Sequence, residues 1–226
     1  GDVTTAHEVS VNGKLIRYKA TAGMLILKND KGQATASVFY TAYVAEPPAG
    51  APPRPVTFLF NGGPGSASIW LHMSGLGPRY VMTASPQPTG PAPYRFGPSE
   101  YTLLDKTDLV FIDAIGTGYS TVLPDGDNAD FWGVDQDVNA FAQAITLYLT
   151  QNRRWSSPKF LFGESYGTTR AAALAYRLQN LGVQVNGVIL LSTILDFAPN
   201  LPGQDQGFVN LVPTYAATAW YHNRVR

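Results

Sequence analysis

Residues 7 to 45 are a succession of β-prone runs separated by short polar breaks: Glu8 to Val11, Leu15 to Ala20, Met24 to Lys28 and Ala34 to Ala45. The breaks at Asn12-Gly13 and Asn29-Asp30-Lys31-Gly32 are hairpin signals, so this stretch predicts an antiparallel β segment. Glu46 to Pro55 is rich in proline and unable to sustain a ladder, which makes it a surface connection. Beyond it the pattern changes. Val56 to Phe60, Leu109 to Asp113, Lys159 to Phe162 and Gly187 to Leu191 are short, nearly continuous apolar runs, as expected of strands buried on both faces of a parallel sheet. Between them, Val134, Val138, Phe141, Ile145 and Leu149 recur at three- and four-residue spacing and predict a helix over 134–149. An alanine-rich stretch, Thr168 to Leu178, predicts a second helix, and Leu211 to Tyr221 the start of a further helical region. Ala84 to Ser99 is proline-rich and expected to be irregular.

Alternating strands and helices in this second half point to an α/β fold with right-handed crossovers and a mixed, mostly parallel sheet. The topology is incomplete within the sequence. Residues 1–200 read as the N-terminal part of the core, and residues 201–226 as the start of a helical cap.

With 226 residues, 45% hydrophobic and 14% charged, the chain can bury a sizeable core. Sixteen basic residues balance sixteen acidic ones without a basic block, which argues against a nucleic-acid or anionic-membrane partner. Arg153 and Arg154 beside Trp155 read as a solvated helix end. The absence of cysteine excludes disulfides and thiolate metal sites within the chain. No apolar segment is long enough to cross a bilayer, and neither a metal nor a cofactor is implied. The lack of both cysteine and an Asn-x-Ser/Thr sequon favours an exported bacterial protein over a eukaryotic secreted one.

The chemistry is concentrated at Gly163-Glu164-Ser165-Tyr166-Gly167, between the apolar run 159–162 and the helical stretch 168–178. That context of strand, sharp turn and helix is what a Gly-x-Ser-x-Gly nucleophile elbow requires. Upstream, Val56 to Phe60 ends abruptly in Asn61-Gly62-Gly63-Pro64-Gly65. In an α/β-hydrolase one oxyanion donor is the backbone N–H after the nucleophile, and the other comes from a glycine-rich loop after the third strand. The two motifs are complementary halves of one hydrolytic site.

Four blocks together carry a family resemblance: Asn61 to Gly65, Leu109 to Ser120, Trp155 to Gly167, and the helix and strand that follow. In their order and spacing they resemble the N-terminal portion of a serine carboxypeptidase. The resemblance implies Ser165 as nucleophile and the N–H groups of Gly63 and Tyr166 as the oxyanion hole. It implies that Asn61, Gly62 and Glu164 recognise the free C-terminal carboxylate of a peptide substrate. For Glu164 that role requires the protonated form, which donates a hydrogen bond, so substrate binding is expected to weaken as pH rises. The sequence departs from the family in three places: Ser66 stands where secreted eukaryotic members have cysteine, no carboxylate lies near Gly75, where a second glutamate is expected, and Leu59 stands where tryptophan is usual. An esterase or acyltransferase of the same fold and a non-catalytic binding relative are the alternative readings.

A serine needs a histidine to accept its proton and an acid to orient that histidine, in the chain order Ser, acid, His for this fold. Only His222 follows Ser165, and it reads as a surface or cap histidine. Asp196 is the best internal acid but precedes the expected position. His7 and His72 violate the order, although His72 is placed to line a pocket. The catalytic Asp and His are therefore expected on a second chain or a downstream segment, with the basic end 223–226 resembling a processed boundary. Asp113 is expected to bind loop amides and Asp135 and Asp137 to favour a helix N-terminus, while Trp70, Tyr119 and Tyr166 are candidates for side-chain subsites.

Overall fold

A computed structural model describes residues 1–84 and 87–225. The chain divides into two compact units, Gly1–Thr193 and Ile194–Arg226. In the first, β1 (Val3–Val11), β2 (Lys14–Lys28) and β3 (Ala34–Ala45) form the expected antiparallel segment. The two runs on either side of Gly23 are one strand, because Gly23 lies opposite Tyr40, whose ring occupies the space a Cβ would need.

β4 (Val56–Phe60) leads into α1 (Ile69–Leu71), a single turn continued by a wider turn over His72–Leu76. A small separate ribbon pairs β5 (Arg79–Met82) with β6 (Arg95–Pro98). The expectation that residues 84–99 are irregular therefore fails over 95–98, where Pro98 pairs with Arg79 at the open end of the ribbon. Ser85 and Pro86 of that stretch lie outside the described residues. β7 (Asp108–Ile112), the two-residue β8 (Thr121–Val122), α2 (Val134–Gln151), β9 (Lys159–Glu164), α3 (Tyr166–Asn180) and β10 (Gly187–Leu191) complete the unit.

The main sheet runs β1-β2-β3-β7-β4-β9-β10, with β8 added to β3. β7, β4, β9 and β10 are mutually parallel, and β3 joins them antiparallel. This mixed, mostly parallel sheet is that of an α/β-hydrolase. The apolar run of β4 is buried at every residue, and the period of two divides it between layers. Phe58 and Phe60 pack with Phe141, Ile145 and Tyr148 of α2 and Leu174 of α3, whereas Leu59 packs on the other face with Leu71 and Leu104. Each such burial contributes about 1.5–3 kcal/mol, so β4 is the anchored centre from which the glycine loop emerges.

At the N-terminal ends of the parallel strands, Asp108 is buried and paired with Arg54 and Arg154, each at 2.8 Å. Arg154 also donates to the carbonyl of Arg54. The reading of Arg154 as part of a solvated helix end is thus corrected. Arg153, in the left-handed region at φ 55°, turns the chain after α2 so that its neighbour reaches inward. The second unit contains a short turn at Ala198–Asn200 and α4 (Gln206–Tyr221), which starts five residues earlier than the apolar pattern suggested. No helix among the described residues is long and apolar enough to cross a membrane.

Candidate active site

β9 ends at Glu164 and α3 begins at Tyr166, so Ser165 alone makes the turn, at φ 58° and ψ −126°. A non-glycine residue in that region is strained, and it is kept there only where its surroundings over-determine it. The restraints are visible. Ser165 donates its N–H to the carbonyl of Leu191 at 2.9 Å, and its own carbonyl accepts from Thr168 through both N–H, at 2.8 Å, and Oγ1, at 2.7 Å.

The glycines on either side are required by contact. A Cβ on Gly163 would collide with the carbonyl oxygen of Gly167, and one on Gly167 would sit 2.9 Å from Phe60 O and 3.0 Å from Asn61 O. Strand and helix could not approach with any side chain at these positions.

The glycine loop is pressed against the same turn. A Cβ on Gly62 would strike the backbone nitrogen of Tyr166 and lie 2.7 Å from both Glu164 O and Gly167 N. The Gly62 Cα is therefore within about 4 Å of the elbow backbone, allowing one carbon–carbon bond length. Gly63 follows at φ +104°, and Ser66 N–H closes the loop onto Gly62 O at 3.1 Å. The Asn61 side chain is fixed at both ends, donating from Nδ2 to Glu164 Oε2 and accepting at Oδ1 from Leu71 N–H, each at 3.0 Å. All six residues anticipated as the site, Asn61, Gly62, Gly63, Glu164, Ser165 and Tyr166, thus come from two loops that meet at the C-terminal ends of neighbouring strands β4 and β9. In open α/β sheets this is the end at which ligands bind.

Behind the loops lies a pair that the pattern of residues did not single out. Arg170, buried in α3, bonds Asp137 Oδ2 at 2.6 Å and Oδ1 at 3.1 Å, and donates from Nη1 to Asn61 O at 2.8 Å. Asp137 therefore faces the core and not merely the first turn of its helix, whereas Asp135 remains exposed. A signal existed in Arg170, which shares a helix face with the apolar Leu174 and Leu178 four and eight residues on. The tyrosyl ring of Tyr166 is buried beside this pair, and its hydroxyl pKa is raised by burial and by the Asp137 charge. A cleft of about 370 Å³ opens there, bordered by Pro64, Ile115, Thr117, Trp132 and Tyr166.

Asp113 has the structural task anticipated for it, accepting from Ser68 N–H and Oγ and from Tyr119 N–H. Tyr119 is exposed against the edge of Phe39, and Trp70 is 69% exposed, so core packing does not account for Trp70. His72 lines a second cleft of about 590 Å³ with Phe39, Phe111 and Tyr119. Its Nε2 lies 2.6 Å from Tyr43 Oη, its ring stacks on Phe111, and burial pushes its pKa down to about 4. His7 lies on β1, paired with Thr5. His222 caps α4, and Asp196 accepts from Ala198 N–H, both within the second unit. Gly75, near which the family resemblance anticipates a second glutamate, offers its carbonyl to Ser99 Oγ at 2.6 Å.

The family model described as serine carboxypeptidase matches residues 12–193. The chain belongs to the serine carboxypeptidase family. Serine carboxypeptidase-like 51 from Arabidopsis thaliana is 33% identical over 150 residues, covering 61% of this chain and 29% of that protein. The crystal structure of Kex1Δp, a prohormone-processing carboxypeptidase from Saccharomyces cerevisiae, superposes with a TM-score of 0.61 at 20% identity, covering 76% of this chain and 38% of that one. The chain thus spans about a third of the length of the relatives it matches. The structural likeness extends to the fold, and the sequence match carries the family.

Proposed function

We propose that this chain supplies the nucleophile and oxyanion-binding half of a serine carboxypeptidase that releases C-terminal amino acids from peptides. Ser165 Oγ attacks the carbonyl carbon of the last peptide bond as its proton passes to a histidine. The oxyanion is held by the N–H groups of Gly63 and Tyr166, and the C–N bond breaks as the same histidine returns the proton to the leaving amine. Water then cleaves the acyl-enzyme by the same route in reverse. The histidine and its orienting acid come from a further segment or a second chain of the protein. Asn61, Gly62 and Glu164 receive the substrate's terminal carboxylate, which sets the scissile bond one residue from the chain end.

The observation that carries this reading is the contact of Gly62 with the backbone at Tyr166, beside the strained Ser165. It brings a hydroxyl, two candidate oxyanion donors and the Asn61–Glu164 pair into one small volume. A fluorophosphonate should label the full natural protein at Ser165 and not its Ser165→Ala variant. Peptides ending in a free acid should be cleaved far faster than their C-terminal amides, and equal rates would reject the carboxypeptidase assignment.

A second reading, an esterase or acyltransferase, is favoured by Gly75, where Ser99 rather than a carboxylate adjoins the backbone. It predicts that esters lacking a free carboxylate are the better substrates.

A further inference from the structure

Arg170 is the largest fully buried side chain in the molecule's described residues, at 1% exposure, and every one of its bonded partners belongs to the site or to the helix behind it. A buried guanidinium is costly unless its charge is paired and its donors satisfied. Asp137 provides the charge through two bonds, and the rings of Phe141, Tyr166 and Phe60 lie around the guanidinium carbon at 4.3, 5.2 and 5.4 Å. The remaining directed bond goes to the carbonyl of Asn61, the residue immediately before Gly62-Gly63. One planar, five-donor head thus links α2 through Asp137, the elbow helix through its own backbone, and the last residue before the glycine loop. Lysine, with a compact ammonium, does not reproduce that fork.

We propose that Arg170, oriented by Asp137, is a positioning residue that sets the distance between the two oxyanion donors. This rests on the function proposed above. Gly63 and Tyr166 reside on separate segments, and nothing covalent fixes their separation. The glycines at 62, 163 and 167 permit close approach but do not hold it, whereas Arg170 ties the carbonyl of Asn61 to the helix that begins at Tyr166. The Asn61 side chain has its own anchors in Glu164 and Leu71, so loosening the carbonyl disturbs the donors more than carboxylate recognition.

The test compares Arg170→Lys and the double variant Arg170→Met/Asp137→Leu with the parent, each in the full natural protein. Removing both charges together avoids leaving one buried alone, so the double variant should melt close to the parent. Its kcat should nevertheless fall by about a hundredfold, as expected when a catalytic group shifts by an ångström. Arg170→Lys should retain the fold and lose about tenfold in kcat. In both, affinity for a non-cleavable peptide with a free C-terminus should change by less than about threefold, which separates lost transition-state stabilisation from lost uniform binding.

A well-folded double variant with parental kcat would show the pair to be structural only and overturn the inference. So would loss of the fold in Arg170→Lys, or a drop in peptide affinity that accounts for the whole loss of activity. A parent that does not react at Ser165 overturns the proposed function and this inference with it, whereas a reactive parent with unimpaired variants overturns the inference alone.

Discussion

Asn61 Nδ2 donates to Glu164 Oε2 at 3.0 Å, joining residues 103 positions apart at the ends of adjacent parallel strands. The bond leaves Glu164 with a second oxygen to offer a ligand. If that oxygen receives a substrate carboxylate, it must carry a proton, since two carboxylates at hydrogen-bond distance repel.

Substitution of Glu164 by glutamine isolates this effect. The amide keeps an acceptor for Asn61 and presents an N–H at every pH. In the parent, KM for a free-acid peptide should rise from acid to alkaline pH, and in Glu164→Gln that rise should flatten. Steady-state kinetics between pH 4 and pH 9, about five decades of proton activity, provide the check. A parent KM independent of pH would end this account of Glu164.

His72 makes a separate prediction about stability. Burial lowers its pKa from the ordinary 6.5 to about 4, so between these values the unfolded chain binds a proton that the folded chain does not. Stability therefore rises with pH across this window: the contribution is complete above about 6.5 and is lost as pH falls toward 4. The shift from 6.5 to about 4 corresponds to about 3–4 kcal/mol. Thermal melting at pH 7 and pH 4.5 should show a smaller acid loss in His72→Phe than in the parent, even though the variant deprives Tyr43 of its partner. Equal losses would mean that His72 does not govern this response.

Much of this architecture is legible because local chemistry and global fold agree. The strands at 56–60 and 108–112 are buried at every residue and apolar except at Thr57 and Asp108, and only a strand covered on both faces accommodates that. Glycine on both sides of Ser165 reports a crowding that no other residue tolerates. What escapes is pairing between charged residues distant in sequence. Asp137 reads as a helix-start residue because that explanation is sufficient locally, and Arg154 as a surface cation because it follows a helix. Their partners, Arg170 and Asp108, lie 33 and 46 residues away, and nothing in a one-dimensional pattern links them. The short pairing of residues 79–82 with 95–98 is hidden for another reason, since proline masks the β signal and is tolerated here in the last pair of a two-stranded ribbon.

The elbow's dependence on Gly163 predicts a backbone collision and not a change of chemistry. Gly163→Ala places a methyl group on the carbonyl of Gly167, a helix atom that cannot rotate away. We expect a loss of about 1–3 kcal/mol in unfolding free energy, the range for overpacking, together with slower labelling of Ser165. Gly90, which has no neighbour within 4 Å, is the control. Gly90→Ala should fall within about 0.5 kcal/mol of the parent. Urea titration of both variants distinguishes crowding from a general intolerance of alanine.

Asp108 tests the opposite end of the sheet. It starts β7 in register with Val56, which also pairs with Lys159, whereas Ser165 follows the far end of β9. Its carboxylate accepts from Arg54 Nε, Arg154 Nη1 and the N–H of Ala45, so it joins the antiparallel segment, the connection before β4 and the turn after α2. Asp108→Ala leaves two partly buried guanidinium groups without their common anion and an amide of Ala45 without an acceptor. Breaking a buried pair costs about 3–5 kcal/mol, and partial exposure of both arginines places this case toward the lower bound. Because the damage is a strand's length from the elbow, the fraction that remains folded should retain parental kcat. Activity normalised to the folded population by Ser165 labelling is the decisive measurement: a kcat reduced in proportion to the stability loss would mean that the sheet transmits strain from Asp108 to Ser165, contrary to the separation argued here.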